Sequence, residues 1–258
     1  MEHRTWVDGL KFARKLHERG ARREAGLFLV EGEHLLAEAA RSGLRVVEAF
    51  VEAGRPAPAG VAPARVHQVS ARAMRQLAET ESPQGLVAVV EIPQARSPAG
   101  PGLQLLLDGL ADPGNLGAVL RVAVAFGAVR CVLGPGCVDP WNGKALRAAA
   151  GATFRLVPEQ VADLAAECRS LADYAVYGLV PRGGIPLPEA SLPLRTALVL
   201  GNEAHGLSAP VAAAVRPLTI PMAEAVESLN AATALAVAAY AWRLATVATD
   251  GGRPGGMP

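Results

Sequence analysis

The stretch Pro217-Leu-Thr-Ile-Pro-Met-Ala-Glu-Ala-Val-Glu-Ser-Leu-Asn230 decides how this chain is read. It opens as a short apolar strand, Leu218 to Ile220. Pro221 has no N–H, so regular pairing is expected to stop there. A loop of small residues leads to Ser228, which is expected to cap a long alanine-rich helix from Leu229 to about Thr246. The side chains of Ser228 and Asn230 then lie at a helix mouth beside free N–H groups, where a polar ligand can bind. A capped helix needs no ligand, however, and the stretch acquires a function only beside two others.

The first of these is Asp112-Pro-Gly-Asn115-Leu-Gly-Ala-Val-Leu-Arg121. It follows the expected strand Leu103 to Leu107, and ligands in open α/β sheets bind outside the carboxyl ends of strands. Asn115 can cap the helix or face a ligand. Gly117 and Arg121 share a helix face, so a bulky group fits beside the guanidinium. The second is Leu198-Val-Leu-Gly201-Asn-Glu203-Ala-His205-Gly206, a buried strand running into a polar turn. Gly201 allows close backbone approach and Glu203 offers a negative charge; a lone histidine such as His205 is more often solvated than catalytic. Two other patterns fail. Gly143-Lys144 resembles the end of a phosphate-binding loop, but Val138 stands where its first glycine belongs and Ala145 where a magnesium-binding hydroxyl belongs. No G-x-G-x-x-G follows a strand, which argues against a dinucleotide oxidoreductase.

Composition sets the frame. The 258 residues are 51% apolar, enough for one large or two modest packed domains. Aromatics are only 4%, which disfavours an aromatic platform for bases. Net charge is +1, so any polyanion must meet a local patch rather than a basic body. The N-terminal helical stretch, Leu10 to Arg23, carries such a cluster, including Lys11, Arg14, Lys15, Arg22 and Arg23. A solvated helix face would look the same. Cys131, Cys137 and Cys168 have no C-x-x-C spacing, so neither a zinc site nor a disulfide framework is expected. The N-terminus lacks an apolar signal core, and the most apolar helix is shorter than the ~20 residues of a membrane span. A soluble cytoplasmic protein is expected.

In chain order, residues 1–92 read as a small α/β unit with strands at Leu27–Val30, Leu44–Val51 and Gly85–Val90, and a helix capped by Ser70. Residues 93–102, with Pro93, Pro98, Gly100 and Pro101, read as a linker. Residues 103–249 alternate strand and helix, which argues for a parallel sheet. The Gly/Pro-rich residues 250–258 are expected to be a disordered tail.

Taken together, the three stretches resemble the motifs of the SpoU/TrmH family (SPOUT class) of RNA 2′-O-ribose methyltransferases, in order and spacing. The N-terminal part, with Phe28-Leu-Val-Glu-Gly32 and Glu81-Ser-Pro-Gln-Gly85, is similar to that family's L30e-like substrate-binding domain, and Asp139-Pro-Trp-Asn142 resembles its connecting region. The resemblance implies an L30e-like α/β domain followed by a parallel-sheet α/β methyltransferase domain with a C-terminal trefoil knot. It implies S-adenosylmethionine held by Gly201, Ile220, Met222 and Leu229, and a homodimer through the C-terminal domain. It implies a site built from Asn115, Arg121, Glu203, Ser228 and Asn230, with Glu203 orienting Arg121 by charge pairing. The implied substrate is RNA, 23S ribosomal RNA above transfer RNA; no DNA, membrane or metal is expected. A non-catalytic RNA-binding or ribosome-assembly protein of the same fold is the competing reading, and a small-molecule nucleotide enzyme a third.

Overall fold

Helix α1 (Trp6–Lys15) and helix α2 (Arg19–Ala25) replace the single basic helix expected over 10–23, with a break from Leu16 to Glu18. Gly26 ends α2 in the left-handed region, φ 66°, where glycine carries no Cβ penalty. Strand β1 (Leu27–Glu31), α3 (Glu33–Arg41), β2 (Val46–Glu52), β3 (Val66–Val69), α4 (Ala71–Leu77) and β4 (Leu86–Glu91) follow. Ser70 caps α4 as expected, accepting from the Ala73 N–H at 3.3 Å. The sheet order is β1-β4-β2-β3, with only the β2–β3 pair parallel. Leu86 to Val90 are buried at every position, with Val87 and Val89 under α1 and α4. Ala13 and Leu16 of α1 pack with Met74 and Leu77 of α4 over Phe50, Val87 and Val89.

The computed structural model describes residues 6–58, 66–95, 100–225 and 227–249. The expected tail at 250–258 and residues 96–99 of the expected linker lie outside the described residues.

The second part is a seven-stranded, wholly parallel sheet. Its elements are β5 (Leu103–Leu107), α5 (Pro113–Ala125) and β6 (Arg130–Leu133). Helices α6 (Gly143–Ala149) and α7 (Ala152–Arg155) come next, then β7 (Glu159–Gln160), α8 (Leu164–Ser170), β8 (Ala175–Leu179) and β9 (Ile185–Pro186). The chain ends with β10 (Thr196–Leu200), α9 (Ala209–Ala212), β11 (Arg216–Thr219) and α10 (Ala231–Thr249). Strand order is β7-β6-β5-β10-β8-β11-β9. Strands β5 and β10 are buried at every residue, as central strands covered on both faces must be.

The chain divides into two compact units, and the division is not that of the sequence. Residues 1–94 are joined by 139–155, while 95–138 and 156–258 form the second unit. The sequence reading placed 139–155 within the 103–249 domain. In the structure the Trp141 ring lies 4.7 Å from that of Phe28, and Phe154 lies 5.8 Å from Phe28 on centroid distances. Glu38 of α3 pairs with Arg41 and, at 2.9 Å, with Arg155.

Glu79 shows how the first unit responds to acid. It accepts from His17 at 3.1 Å and from Arg147 at 3.3 Å. The His17 hydrogen bond, then the charges of His17 and Arg147, hold the Glu79 carboxyl below the usual range against the effect of its burial. A depressed folded value means a contribution that is complete above the ordinary value of 4.5 and lost as pH falls through the folded one. Glu79→Gln is therefore expected to flatten the acid limb of the first unit's stability between about pH 3 and 5, measured as the urea midpoint. Identical acid limbs for both proteins would refute this.

All three cysteines are buried free thiols. Burial pushes the Cys168 thiol up to about 11 and those of Cys131 and Cys137 upward as well, so none is a ready nucleophile.

Candidate functional site

Asp112 starts the site. Its carboxylate accepts the Asn115 N–H at 2.8 Å and so caps α5, with Pro113 in the first helical turn. The cap is Asp112 rather than Asn115, and that frees the Asn115 amide to face outward. Asn115 Nδ2 donates to Glu203 Oε1 at 2.9 Å, and Asn115 Oδ1 accepts from Asn230 Nδ2 at 2.9 Å. Asn230 Oδ1 in turn accepts the Ala232 N–H at 2.9 Å, and its carbonyl accepts the Ala234 N–H. Asn230 thus caps α10. Ser228, the expected cap, is exposed two residues ahead of it, and the helix opens at Ala231 instead of Leu229. Serine and asparagine cap about equally well, so the fold decides between them.

The result is a directional chain: helix N–H to Asn230, Asn230 to Asn115, Asn115 to Glu203. Each amide is a donor on one side and an acceptor on the other, so one orientation satisfies all three links. The chain ties together residues 115, 203 and 230 from the three separate motifs.

Beside it lies a pocket of about 800 Å³, within the range of small-molecule sites. Gly201, Ile220, Met222 and Leu229, the expected cofactor residues, all line it, as do Asn115, Glu203, Ser228 and Asn230. It sits past the C-terminal ends of β8 and β10, where open parallel sheets place their ligands. The loop after β10 is folded tightly on itself. Asn202 and Gly206 exchange N–H···O bonds of 2.9 Å in both directions. A Cβ on Gly201 would lie 2.3 Å from the Gly206 carbonyl carbon, so only glycine fits. Asn202 Nδ2 donates to the Gly109 carbonyl at 2.8 Å, and its Oδ1 accepts the N–H groups of Ala204 and His205. Asp108 accepts the Ser208 N–H at 2.6 Å at the far end of the same loop. Sequence reasoning missed Asp108 and Asn202, because their partners are about a hundred residues away in the chain.

Two expected assignments change. Arg121 is exposed, does not line the pocket, and has no hydrogen-bond or ion-pair partner among the described residues. Glu203 therefore does not orient it within one chain; that carboxylate is taken by Asn115. Arg22 is 3% exposed and bonded to Asp139 at 2.8 and 2.5 Å, so it cannot meet a phosphate. Lys11, Arg14, Lys15 and Arg23 remain exposed. The recess in the first unit beside His17, Glu79 and Arg147 is about 10 Å³, room for one water at most.

The profile of the SpoU rRNA methylase family matches residues 102–240. The chain belongs to the SpoU rRNA methylase family. An MRM3-like substrate-binding domain matches residues 8–88. The chain is 35% identical over 235 residues to the 23S rRNA (guanosine(2553)-2′-O)-methyltransferase RlmP of Bacillus subtilis, covering 88% of this chain and 92% of that one. A solved TrmH-family structure from Porphyromonas gingivalis superposes with a TM-score of 0.81 at 34% identity, over 94% of this chain and 99% of the other. The SpoU methyltransferase AviRb of Streptomyces viridochromogenes, solved in complex with the cofactor AdoMet, gives 0.82 at 26% identity, over 95% and 99%. Among the described residues no helix is long and apolar enough to cross a membrane.

Proposed function

We propose that this chain methylates the 2′-hydroxyl of a ribose in RNA, with S-adenosylmethionine as donor, and that the RNA is 23S ribosomal RNA. The observation that carries this is the Asn230–Asn115–Glu203 chain beside the pocket, which joins three motif stretches that mean little singly. The pocket fits the donor. Leu218, Ile220 and Leu229 offer an apolar lining, and the loop from Gly201 to Leu207 brings backbone groups to its wall. When bound, S-adenosylmethionine supplies an electrophilic methyl group. Gly201, Ile220, Met222 and Leu229 hold it.

The remaining residues align the acceptor. Much of the rate of such a transfer comes from holding oxygen, carbon and sulfur in line. Asn115 and Asn230 position the ribose, Glu203 fixes Asn115, and Ser228 holds the substrate at the pocket rim. Arg121 binds the adjacent phosphate and stabilises the developing alkoxide. Lys11, Arg14, Lys15 and Arg23 meet RNA phosphates from the first unit. The preference for 23S ribosomal RNA draws on the substrate named for the Bacillus relative.

The active form is a homodimer. Val237, Tyr240, Leu244 and Val247 form one exposed stripe along α10 at three- and four-residue spacing, with Tyr240 55% and Leu244 54% exposed. Tyr240→Asp with Leu244→Asp is expected to convert a dimer to a monomer in sedimentation at micromolar concentration; an unchanged dimer would refute the stripe as its interface. The C-terminal segment is threaded as a trefoil knot. Insertion of β11 between the earlier strands β8 and β9 supports that threading. The protein acts in the cytoplasm, where reduced buried thiols are the rule.

The test is methyl transfer from labelled S-adenosylmethionine to unmodified RNA, with ribosomal and transfer RNA separated afterwards. Label in an alkali-resistant dinucleotide from 23S RNA is the expected result. Label confined to transfer RNA would overturn the substrate, and no label in any fraction, ribosomal subunits included, would overturn the reaction.

A further inference from the structure

Every residue from Gly201 to Leu207 lines the pocket. The loop they form leaves β10 and is tied at both ends to Asp108 and Gly109, the two residues that follow β5. We propose that Asn202 and Asp108 are positioning residues, which clasp this loop closed as a wall of the donor site and so set the affinity for S-adenosylmethionine. This rests on the methyl-transfer reading above and names what prepares its donor site.

Asn202 forms the near end of the clasp. Its Nδ2 donates to the Gly109 carbonyl at 2.8 Å, and its Oδ1 accepts the N–H groups of Ala204 at 2.9 Å and His205 at 3.1 Å. All three partners are backbone groups that can only accept or only donate, so they fix the orientation of the amide. The backbone of the loop itself, among the described residues, supplies the Asn202–Gly206 pair and no further rung. The N–H groups at the tip are therefore held by one side chain, and that side chain is anchored outside the loop. Gly109, the anchor, has φ 70°, in the left-handed region that glycine enters at little cost.

Asp108 forms the far end. It is buried, its own N–H donates to the Leu200 carbonyl at 2.8 Å, and its Oδ2 accepts the Ser208 N–H at 2.6 Å. It does not line the pocket, so it acts from behind the wall. Leu207 supports the same end by packing into the core cluster that holds Val211, which makes the Asp108 tie the less demanding of the two. Residues 108 and 109 also lead directly into Asp112, the cap that places Asn115. One short segment thus carries the donor wall on one side and an acceptor-aligning residue on the other. A loop that is already closed needs no ordering when the donor arrives, and opening it weakens binding in proportion to the closed fraction lost.

The test is the Kd for S-adenosylmethionine by calorimetry on the full chain, with amide exchange of the loop. Asn202→Ala is expected to raise Kd about 10–100-fold, and Asp108→Ala about 10-fold because Leu207 still anchors that end. Ser208→Pro removes the same bond from the other partner; Ser208 has φ −63°, the value proline imposes, so this variant keeps the fold and should match Asp108→Ala. Asp108→Asn keeps an acceptor oxygen and should recover part of the affinity. Exchange at Ala204 and His205 should quicken in Asn202→Ala and slow again at saturating S-adenosylmethionine, while KM for RNA stays within about threefold of wild type. A Kd within about threefold of wild type in Asn202→Ala would overturn the proposal, and the same result in Ser208→Pro would overturn its Asp108 half. Equal losses of affinity for RNA and S-adenosylmethionine would show a general defect instead of a clasp and overturn it too. A wild-type protein that binds no S-adenosylmethionine would overturn the methyl-transfer reading itself.

Discussion

Asp139→Ala is expected to destabilise the first unit by about 3–5 kcal/mol. The cost comes from the partner that remains. Arg22 is 3% exposed. Its Nε and Nη2 both donate to Asp139 Oδ2, at 2.8 and 2.5 Å, and its Nη1 donates to the carbonyls of Leu16 and His17 at 2.7 and 2.8 Å. The other carboxylate oxygen accepts the Trp141 N–H at 3.1 Å and so fixes the start of the 139–155 segment. Removing the carboxylate leaves a buried cation with two unpaired donors. Replacing both charges is expected to be milder, as in Arg22→Met with Asp139→Asn, because no uncompensated charge stays behind. Amide exchange of β1 and β4 reads the effect locally, and protection should fall by about 10²–10³-fold in Asp139→Ala. A fall of less than about threefold, or a double variant worse than the single one, would show that the pair is not held as described.

That pair also marks what a sequence hides. Arg22 stands in a run of exposed cations, Lys11, Arg14, Lys15 and Arg23, and composition alone cannot separate it from them. Its carboxylate is 117 positions away. The packing of 139–155 against the first unit was hidden for the same reason. Those residues follow β6 in the chain, yet their aromatic partner Phe28 belongs to the first unit. Strand β3 was not anticipated, because Val66-His-Gln-Val69 is short, lies at a sheet edge and shows no alternation long enough to register. What was legible was local. The buried strands β4, β5 and β10 are near-continuous apolar runs, and the parallel sheet of the second unit follows from the alternation of β5 and β10 with helices. The site residues Asn115, Glu203, Ser228 and Asn230 and the pocket residues Gly201, Ile220, Met222 and Leu229 sit in motifs whose order was readable. Their pairing was not: a charge argument joined Glu203 to Arg121, whereas the fold gives Glu203 to Asn115. Asn202 stayed silent, because its partner, the Gly109 carbonyl, is 93 positions away.

Arg121→Ala is expected to lower kcat for RNA methylation by about 10³-fold, the upper end of what one charged or polar donor to a developing oxyanion supplies. The structure separates this loss from unfolding. Arg121 is exposed and unpaired among the described residues, so its truncation should change stability by no more than about 0.5 kcal/mol. It does not line the pocket, so S-adenosylmethionine affinity should be unchanged. An exposed arginine without a carboxylate partner keeps its full charge for a phosphate. Arg121→Lys keeps the charge and loses the planar fork, and it should recover part of the rate but not all of it. Full rescue by lysine would mean that a point charge suffices. Single-turnover rates at saturating RNA distinguish these outcomes from weakened binding, since a residue that only docks RNA would raise KM and leave kcat intact. Methyl transfer by Arg121→Ala within about threefold of wild type would remove Arg121 from the site and leave the alkoxide to the helix N-terminus and the Asn115–Asn230 pair.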